Sequence, residues 1–586
     1  MTLAQPLCPE HWKYSLRHAD SLRVMRLVAA SLAFCCVPQS FAQTPRVVPK
    51  VEELKRDIEQ AAPSRDQAAP LPDRSSPPPR ELGKPADEVR IDIRAFRVTG
   101  LSEADPAKLE ALLARFAGPQ RSYEDLSNAA AAATEYLQSE LGYYLGYAYL
   151  PEQSPSDGTV EIAVLEGRLD QIKLAWNPKS LIRREVLESH LQAIKPGEIL
   201  RVKDVERMVF LMNDLLGGNA RFEVMAGRTP GTATLVVTPE PDARLGAQLT
   251  FDNIGSRYSG EYRASVGGSL MSPFGIGDGL SLNGVVSQTG GLAFALANYT
   301  VPVSRYGLKL GLSVSYLKYQ LNEDDFPLGL NGTTTAYSAF GLYPLIRGRN
   351  LNVFLQLGTD LKDFVDNQSG LSIENRKRTK LGWTGVVGDG RDQFAGGGIN
   401  SFSALWSQGT VTPDNPANGL DNDHRFSKLA LSASRLQAIL PNRVLLFARY
   451  NGQLAFANLD STERFGLGGE SGVRAYAPGE GAGDNGHIGT LEFRLLPPAQ
   501  WFDAAREISV SVFGDWGYAQ LRHDASKQPR DFDNSVYIAG VGLGFNWESP
   551  RRFTLRSSVA WRTTGRGVSD SGDRVPRIYF VANQSF

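Results

Sequence analysis

Residues 508–517 read Ile508-Ser509-Val510-Ser511-Val512-Phe513-Gly514-Asp515-Trp516-Gly517. In an extended chain, successive side chains point to opposite faces. Ile508, Val510, Val512 and Trp516 therefore share one face, and Ser509, Ser511, Phe513 and Asp515 share the other. The same period of two recurs in Leu308–Tyr316, Leu351–Thr359, Thr490–Leu495 and Phe553–Arg562, each with one apolar face and one polar or charged face. A soluble sandwich alternates in the same way, with its apolar face in the core. Three features favour a membrane barrel instead. The strands run to about ten residues, enough to cross a bilayer when tilted. Tyr and Trp recur near strand ends, as in interfacial girdles. The chain also opens with an export signal. Residues 244–586 hold about 16 or 17 such strands, and bacterial barrels prefer an even number. A barrel of that size encloses an aqueous bore, into which Asp515, Glu492 and Arg494 would point. The last strand, Ile578–Phe586, turns Ile578, Phe580, Ala582 and Phe586 outward, and Gln584 interrupts that apolar face.

Upstream of the barrel the pattern is different. Residues 1–42 read as a signal peptide: Arg17, Arg23 and Arg26 precede the apolar run Leu27–Val37, and Ser40-Phe41-Ala42 is a small-x-small cleavage site. Translation starts at Met1 or Met25. Cys8, Cys35 and Cys36, the three cysteines of the chain, all lie in that segment. A mature chain starting at Gln43 has no disulfide framework, no zinc-cysteine site and no cysteine nucleophile. Within residues 43–62, Val51, Leu54, Ile58 and Ala61 fall on one face of a helix over 46–62. Residues 63–90 are a proline-rich linker, extended by composition. Residues 91–167 read β-α-α-β-β: IDIRAFRVTG as a strand, Asp105–Phe116 and Tyr123–Leu141 as helices, then Tyr147–Leu150 and Val160–Val164. Residues 168–240 repeat the order, with helices over Leu181–Ile194 and Val202–Leu216. Tandem units without a catalytic cluster point to docking modules, and each three-stranded sheet has an edge able to add an extended peptide.

The charge balance, 62 basic against 63 acidic residues, gives no argument for nucleic acid. The six His have no metal-ligand spacing, and no phosphate-binding loop or nucleophile elbow occurs. Gly481-x-Gly483-x-x-Gly486 lies in a loop without the strand-turn-helix setting of a dinucleotide site. No catalytic residue, metal or cofactor is expected, and the chain does not read as an enzyme.

Several short patterns then occur in a fixed order. Gly142-Tyr143, Tyr149-Leu150-Pro151 and Gly158-x-Val160-x-Ile162-x-Val164-x-Glu166-Gly167-Arg168 lie in the first module. Asp252-Asn253-x-Gly255, Arg435-x-Gln437, Leu440-Pro441, Gly468-Gly469, Val473-Arg474-x-Tyr476 and Phe513-x-Asp515-x-Gly517 follow. In this order the chain resembles the outer-membrane transporters of bacterial two-partner secretion, the haemolysin-activation and filamentous-haemagglutinin translocators of the Omp85 superfamily. The resemblance implies a plug helix at 43–62, two periplasmic POTRA domains at 91–167 and 168–240, and a 16-stranded barrel whose first strand carries Asp252-Asn253-x-Gly255. It also implies a long sixth extracellular loop folded into the bore, with Arg474 paired to Asp515 and supported by Val473, Tyr476, Phe513, Gly517, Gly468 and Gly469. Ala475 stands where the family usually has Gly, and Ala is strained at a positive φ. The implied function is export of an unfolded, haemolysin- or adhesin-like partner exoprotein across the outer membrane without ATP. The partners are that exoprotein, outer-membrane lipid and the barrel-assembly machinery, with no nucleic acid. An assembly factor of the same superfamily and a passive diffusion porin are the alternatives.

Overall fold

The computed structural model describes residues 48–586 apart from 62–81, 85–88, 155–156, 415–422, 499, 502–504, 506, 527, 529–531, 551 and 565–573. The signal peptide and most of the linker lie outside the described residues. Helix α1 spans Val51–Ala61, starting five residues later than the apolar spacing implied.

The first module contains β1 (Ile91–Ile93), β2 (Ala95–Thr99), α2 (Pro106–Leu113), β3 (Gly118–Arg121), α3 (Tyr123–Ser139), β4 (Tyr147–Tyr149) and β5 (Thr159–Leu165). Helix α2 starts where the Asp105 side chain accepts the Ala107 amide, with Pro106 at its first position. Helix α3 opens on a capping box between Ser122 and Asp125. IDIRAFRVTG, expected as one strand, breaks at Arg94. Its first half pairs with β3, and its second half lies parallel to β5. Strand β3 was not expected at all, because Gly-Pro-Gln-Arg carries no strand signal. The second module contains β6 (Arg168–Leu174), α4 (Arg184–Leu191), α5 (Val202–Asn213), β7 (Gly218–Ala226) and β8 (Thr232–Pro241), in sheet order β6-β8-β7.

The two modules are joined by packing as well as by the chain. Tyr143 and Ile199 are buried in the first core, and Tyr144 in the second. Backbone bonds Tyr144 N–Leu200 O (2.7 Å) and Val202 N–Gly142 O (2.9 Å) tie the junction. The segment 197–199 also covers the outer edge of β6, through Leu169 N–Glu198 O and Gly197 N–Leu169 O. In the second sheet that leaves β7 as the open edge.

Sixteen antiparallel strands close the barrel: β9 (Leu245–Asp252), β10 (Arg263–Met271), β11 (Gly279–Ser287), β12 (Leu292–Pro302), β13 (Lys309–Gln320), β14 (Leu330–Arg347), β15 (Leu351–Gln368), β16 (Ile373–Asp392), β17 (Gly398–Pro413), β18 (Arg425–Leu440), β19 (Val444–Ala455), β20 (Asn485–Leu495), β21 (Ile508–Gln520), β22 (Ser535–Glu548), β23 (Phe553–Arg562) and β24 (Arg577–Ser585). Along β21 the period of two is regular. Val510, Val512, Trp516 and Tyr518 are exposed to the outside, while Ser511, Phe513, Asp515, Gly517 and Ala519 are buried. Closure satisfies every strand edge inside a bilayer. Strands β14, β15 and β16 have 18, 18 and 20 residues, well beyond the expected ten. Asp252 ends β9, so Asn253 and Gly255 lie past the first strand rather than in it. Asn253 Nδ2 donates to Ile578 O, and its Oδ1 accepts the Phe580 amide, which pins β24 beside β9.

Helix α5 and the turn after it stand against the turns at one end of the barrel. The Arg347 guanidinium makes a two-pronged ion pair with Asp214 (2.8 and 2.9 Å), lies 4.7 Å over the Phe210 ring and donates to Asn352. Arg183 N–Gly275 O and Leu216 N–Gly277 O add backbone bonds across the same junction.

Candidate functional site

The connection between β19 and β20, residues 456–484, is long and folds back into the bore. Val473, Ala475 and Tyr476 at its tip are fully buried, in a cluster with Leu467, Phe513 and Ile538. Arg474 Nε and Nη2 donate to the two carboxylate oxygens of Asp515 at 2.8 and 3.0 Å, and the Arg474 amide donates to Asp515 Oδ2. Arg474 Nη1 reaches Glu492 Oε2 at 3.0 Å, and the guanidinium lies 3.2 Å from the centre of the Phe513 ring. Thr490 Oγ1 donates to Asp515, and Arg494 Nε to Glu492. A planar fork matched to a carboxylate fixes orientation as well as charge.

The neighbouring motif residues shape the seat. The site where a Gly517 Cβ would stand is 3.1 Å from Val473 Cγ2, so a side chain there would push the loop off the wall. A Gly540 Cβ would lie 2.5 Å from Ala475 Cβ. Ala475 does not take a positive φ, so the strain expected from replacing Gly at that position is absent. Its methyl instead fills the space over Gly540. Tyr476 O accepts the Tyr579 hydroxyl (2.9 Å), and Arg562 lies over the Tyr476 ring. Gly469 has φ +115° at the turn, and the Gly468 amide donates to Glu480 O. The sequence places Arg474, Asp515, Val473, Tyr476, Phe513, Gly517, Gly468 and Gly469 in one constellation, and the structure brings them together at one wall of the bore.

A second anchor at the base of the loop was not anticipated. Glu463 lies between Lys362 (2.9 Å) and Lys428 (2.8 Å), Asp460 pairs with Lys377 (2.8 Å), and Arg464 with Asp484 (3.1 Å). Burial opposes ionisation of Glu463, but Lys362 and Lys428 outweigh it and hold the carboxyl well below its ordinary range. The available signal was the inward parity of Lys362, Lys377 and Lys428 on their strands, together with Asp460 and Glu463 in the loop. Only the folded loop pairs them.

Helix α1 occupies the bore beside the loop. Val51 and Leu54 pack on Val285, Leu292, Phe294 and Leu317 of β11, β12 and β13. Lys50 Nζ donates to Arg464 O (2.8 Å), and Glu52 pairs with the same Lys362 that holds Glu463. Arg435-x-Gln437 serves the opposite end of the barrel: Arg435 pairs with Asp392, and Gln437 Nε2 donates to carbonyls of residues 394, 395 and 397 in the β16–β17 turn. Among the described residues no His, Cys, Asp and Glu grouping could hold a metal.

Comparison with known proteins places this arrangement. Residues 91–167 match the POTRA domain, ShlB-type. A heme/hemopexin transporter protein, HuxB, of Haemophilus influenzae strain 86-028NP is 27% identical over 459 residues, covering 77% of this chain and 80% of its own. The outer membrane transporter CdiB of Dickeya dadantii is 25% identical over 361 residues, covering 60% of this chain and 62% of its own. The solved structure of CdiB from Escherichia coli superimposes with a TM-score of 0.64 at 17% identity, over 98% of this chain and all of that one, and so shares the fold. Residues 231–547, more than half of the chain, match the haemolysin secretion/activation protein ShlB/FhaC/HecB family, and this protein belongs to that family of outer-membrane transporters of two-partner secretion.

Proposed function

We propose that this chain exports one secreted partner protein in unfolded form, acting as a translocator and not as an enzyme. The modules at 91–167 and 168–240 receive the partner in the periplasm, after the signal peptide 1–42 has directed the chain there. The partner's extended segment adds to an open sheet edge, β7 in the second module. The Asp214–Arg347 clamp holds that module under the mouth of the barrel. The chain then passes through the bore from which α1, the plug, is displaced on its linker 63–90. No nucleotide drives the passage; folding outside the cell prevents return. Arg474 and Asp515 are the lock that keeps the loop on the wall while the bore conducts.

The observation that carries this reading is the filling of the bore. Two separate inserts, α1 and loop 456–484, occupy it; among the described residues α1 meets the wall through Val51, Leu54 and Glu52, and Lys50 just before it bonds the loop at the Arg464 carbonyl. The names of the relatives point to cargo of the haemolysin or haem-scavenging kind. Outer-membrane lipid surrounds the apolar belt, and the barrel-assembly machinery inserts the chain.

The test is deletion of the gene followed by comparison of the secreted and outer-membrane proteins. Loss of one large secreted protein, restored by the wild-type gene, is the expected result. A general loss of outer-membrane proteins would make the chain an assembly factor, and no change in secretion would leave it a porin.

A further inference from the structure

The outer wall carries a cationic patch that the export reading does not use. On β15 the outward column runs Leu351, Val353, Leu355, Leu357, Thr359 and Leu361, and then turns polar at Asp363. Its neighbour β16 pairs Lys380 with Leu361 and Arg378 with Asp363. Lys380 therefore stands at the upper limit of the lipid-facing belt, at the end away from the periplasmic modules, with Arg378 and Arg376 following it outward. Strand β17 pairs Thr410 with Lys380 on one side and with Arg425 of β18 on the other. Lys380 and Arg425 are two strands apart, about 10 Å, and both are exposed. Trp406 and Phe456, 5.1 Å apart, mark the interfacial belt on the same face.

The four cations are not equivalent. Arg376 pairs with Glu374 and Arg378 with Asp363 on the strand surface. Lys380 and Arg425 have no ion pair or hydrogen bond among the described residues. Two unmatched cations with Thr410 between them, just above apolar and aromatic surface, complement a lipid that carries a phosphate directly over its acyl chains. The outer leaflet supplies that chemistry.

We propose that Lys380, Thr410 and Arg425 bind a phosphate of an outer-leaflet lipid A molecule, whose acyl chains lie along the outward faces of β15–β18. The site rests on the outer-membrane placement of the barrel and is independent of export through the bore.

The full mature protein is released from detergent with bis-phosphorylated lipid A, and the lipid-bound fraction is read by native mass spectrometry. One-to-one adducts are expected for the wild type. Lys380→Gln/Arg425→Gln should lose about tenfold in apparent affinity, whereas Lys318→Gln, an outward cation on β13, should lose none. Dephosphorylated lipid A should bind the wild type no better than it binds the double variant. Heat-modifiable migration confirms that each barrel is folded. Equal adduct formation by wild type and double variant, an equal loss in Lys318→Gln, or retained binding of the dephosphorylated lipid would each overturn the site.

Discussion

Loop 456–484 meets the wall at its tip and its base through charged side chains nearly sealed from water. Among the described residues, helix α1 meets it through Val51, Leu54 and Glu52, while Lys50 just before it bonds the loop. At the tip, the Asp515 side chain is 0% exposed and Arg474 11%. At the base, Glu463 is 3% exposed and Lys362 4%. Glu52 of α1 is 44% exposed. A buried charge left alone costs several kcal/mol, whereas an exposed pair contributes little. On the reading proposed above the two inserts differ in permanence: the loop belongs to the barrel, and the helix is a reversible occupant.

The sharpest way to break this contrast is at the base. Glu463→Ala leaves Lys362 with the half-exposed Glu52 and Lys428 with the backbone carbonyl of residue 463, and one partner removed from a buried ionic cluster costs about 3–5 kcal/mol. Heat-modifiable migration of the purified barrel should fall by many degrees, and protease should cleave within 456–484. Unchanged migration and protection would place the base pairs among ornamental surface bridges.

Arg474→Ala comes next. Asp515 then keeps the Thr490 hydroxyl and the backbone amide of residue 474, and Glu492 keeps Arg494, so the loss is softened to about 2–3 kcal/mol. The barrel should still fold, but secretion of the partner should drop at least severalfold. Asp515→Ala should do the same. Wild-type secretion by both variants would remove the lock from the mechanism.

The difference between the inserts also explains what could be read from the chain. Lipid demands an apolar outer face, so the alternation of β21 and β20 settles which residues turn inward, Asp515 and Glu492 among them. Parity does not choose partners. The Arg474 pairing came from motif order, and the Lys362–Glu463–Lys428 cluster was missed because inward lysines are common in any wet bore. The break at Arg94 does leave a mark in the sequence: in IDIRAFRVTG the inward apolar positions slip from Ile91 and Ile93 to Phe96 and Val98, and the two halves take different neighbours, β3 and β5. The strain expected at Ala475 came from the resemblance to a family with Gly there, and the backbone at Ala475 has no positive φ to strain.

The helix gives smaller effects with a different readout. Glu52→Gln removes a pair in which only Glu52 is half-exposed, worth about 0.5–1 kcal/mol. It should leave thermal stability unchanged while raising the open fraction in planar bilayers about two- to fivefold. An identical open fraction would mean that α1 is held by its apolar face alone.

Acid should act on the same contact. Partial burial works against the half-exposed Glu52 carboxylate, and the sealed Lys362 ammonium beside it outweighs that, so the docked carboxyl titrates below its ordinary value of 4.5. Docking thus favours the ionised form. Its contribution is whole above pH 4.5 and is lost as the pH falls through the lowered docked value. Lys50, Glu53, Lys428 and Glu463 share this pocket of charge, but Glu463 is braced by two lysines and yields last. Channel opening should therefore rise modestly between pH 5 and pH 3, while loop 456–484 stays protease-resistant. Glu52→Gln should flatten that response, because no carboxylate remains on the helix side of Lys362. A response that survives in Glu52→Gln would transfer the acid sensitivity to the base of the loop and make the two inserts a single unit.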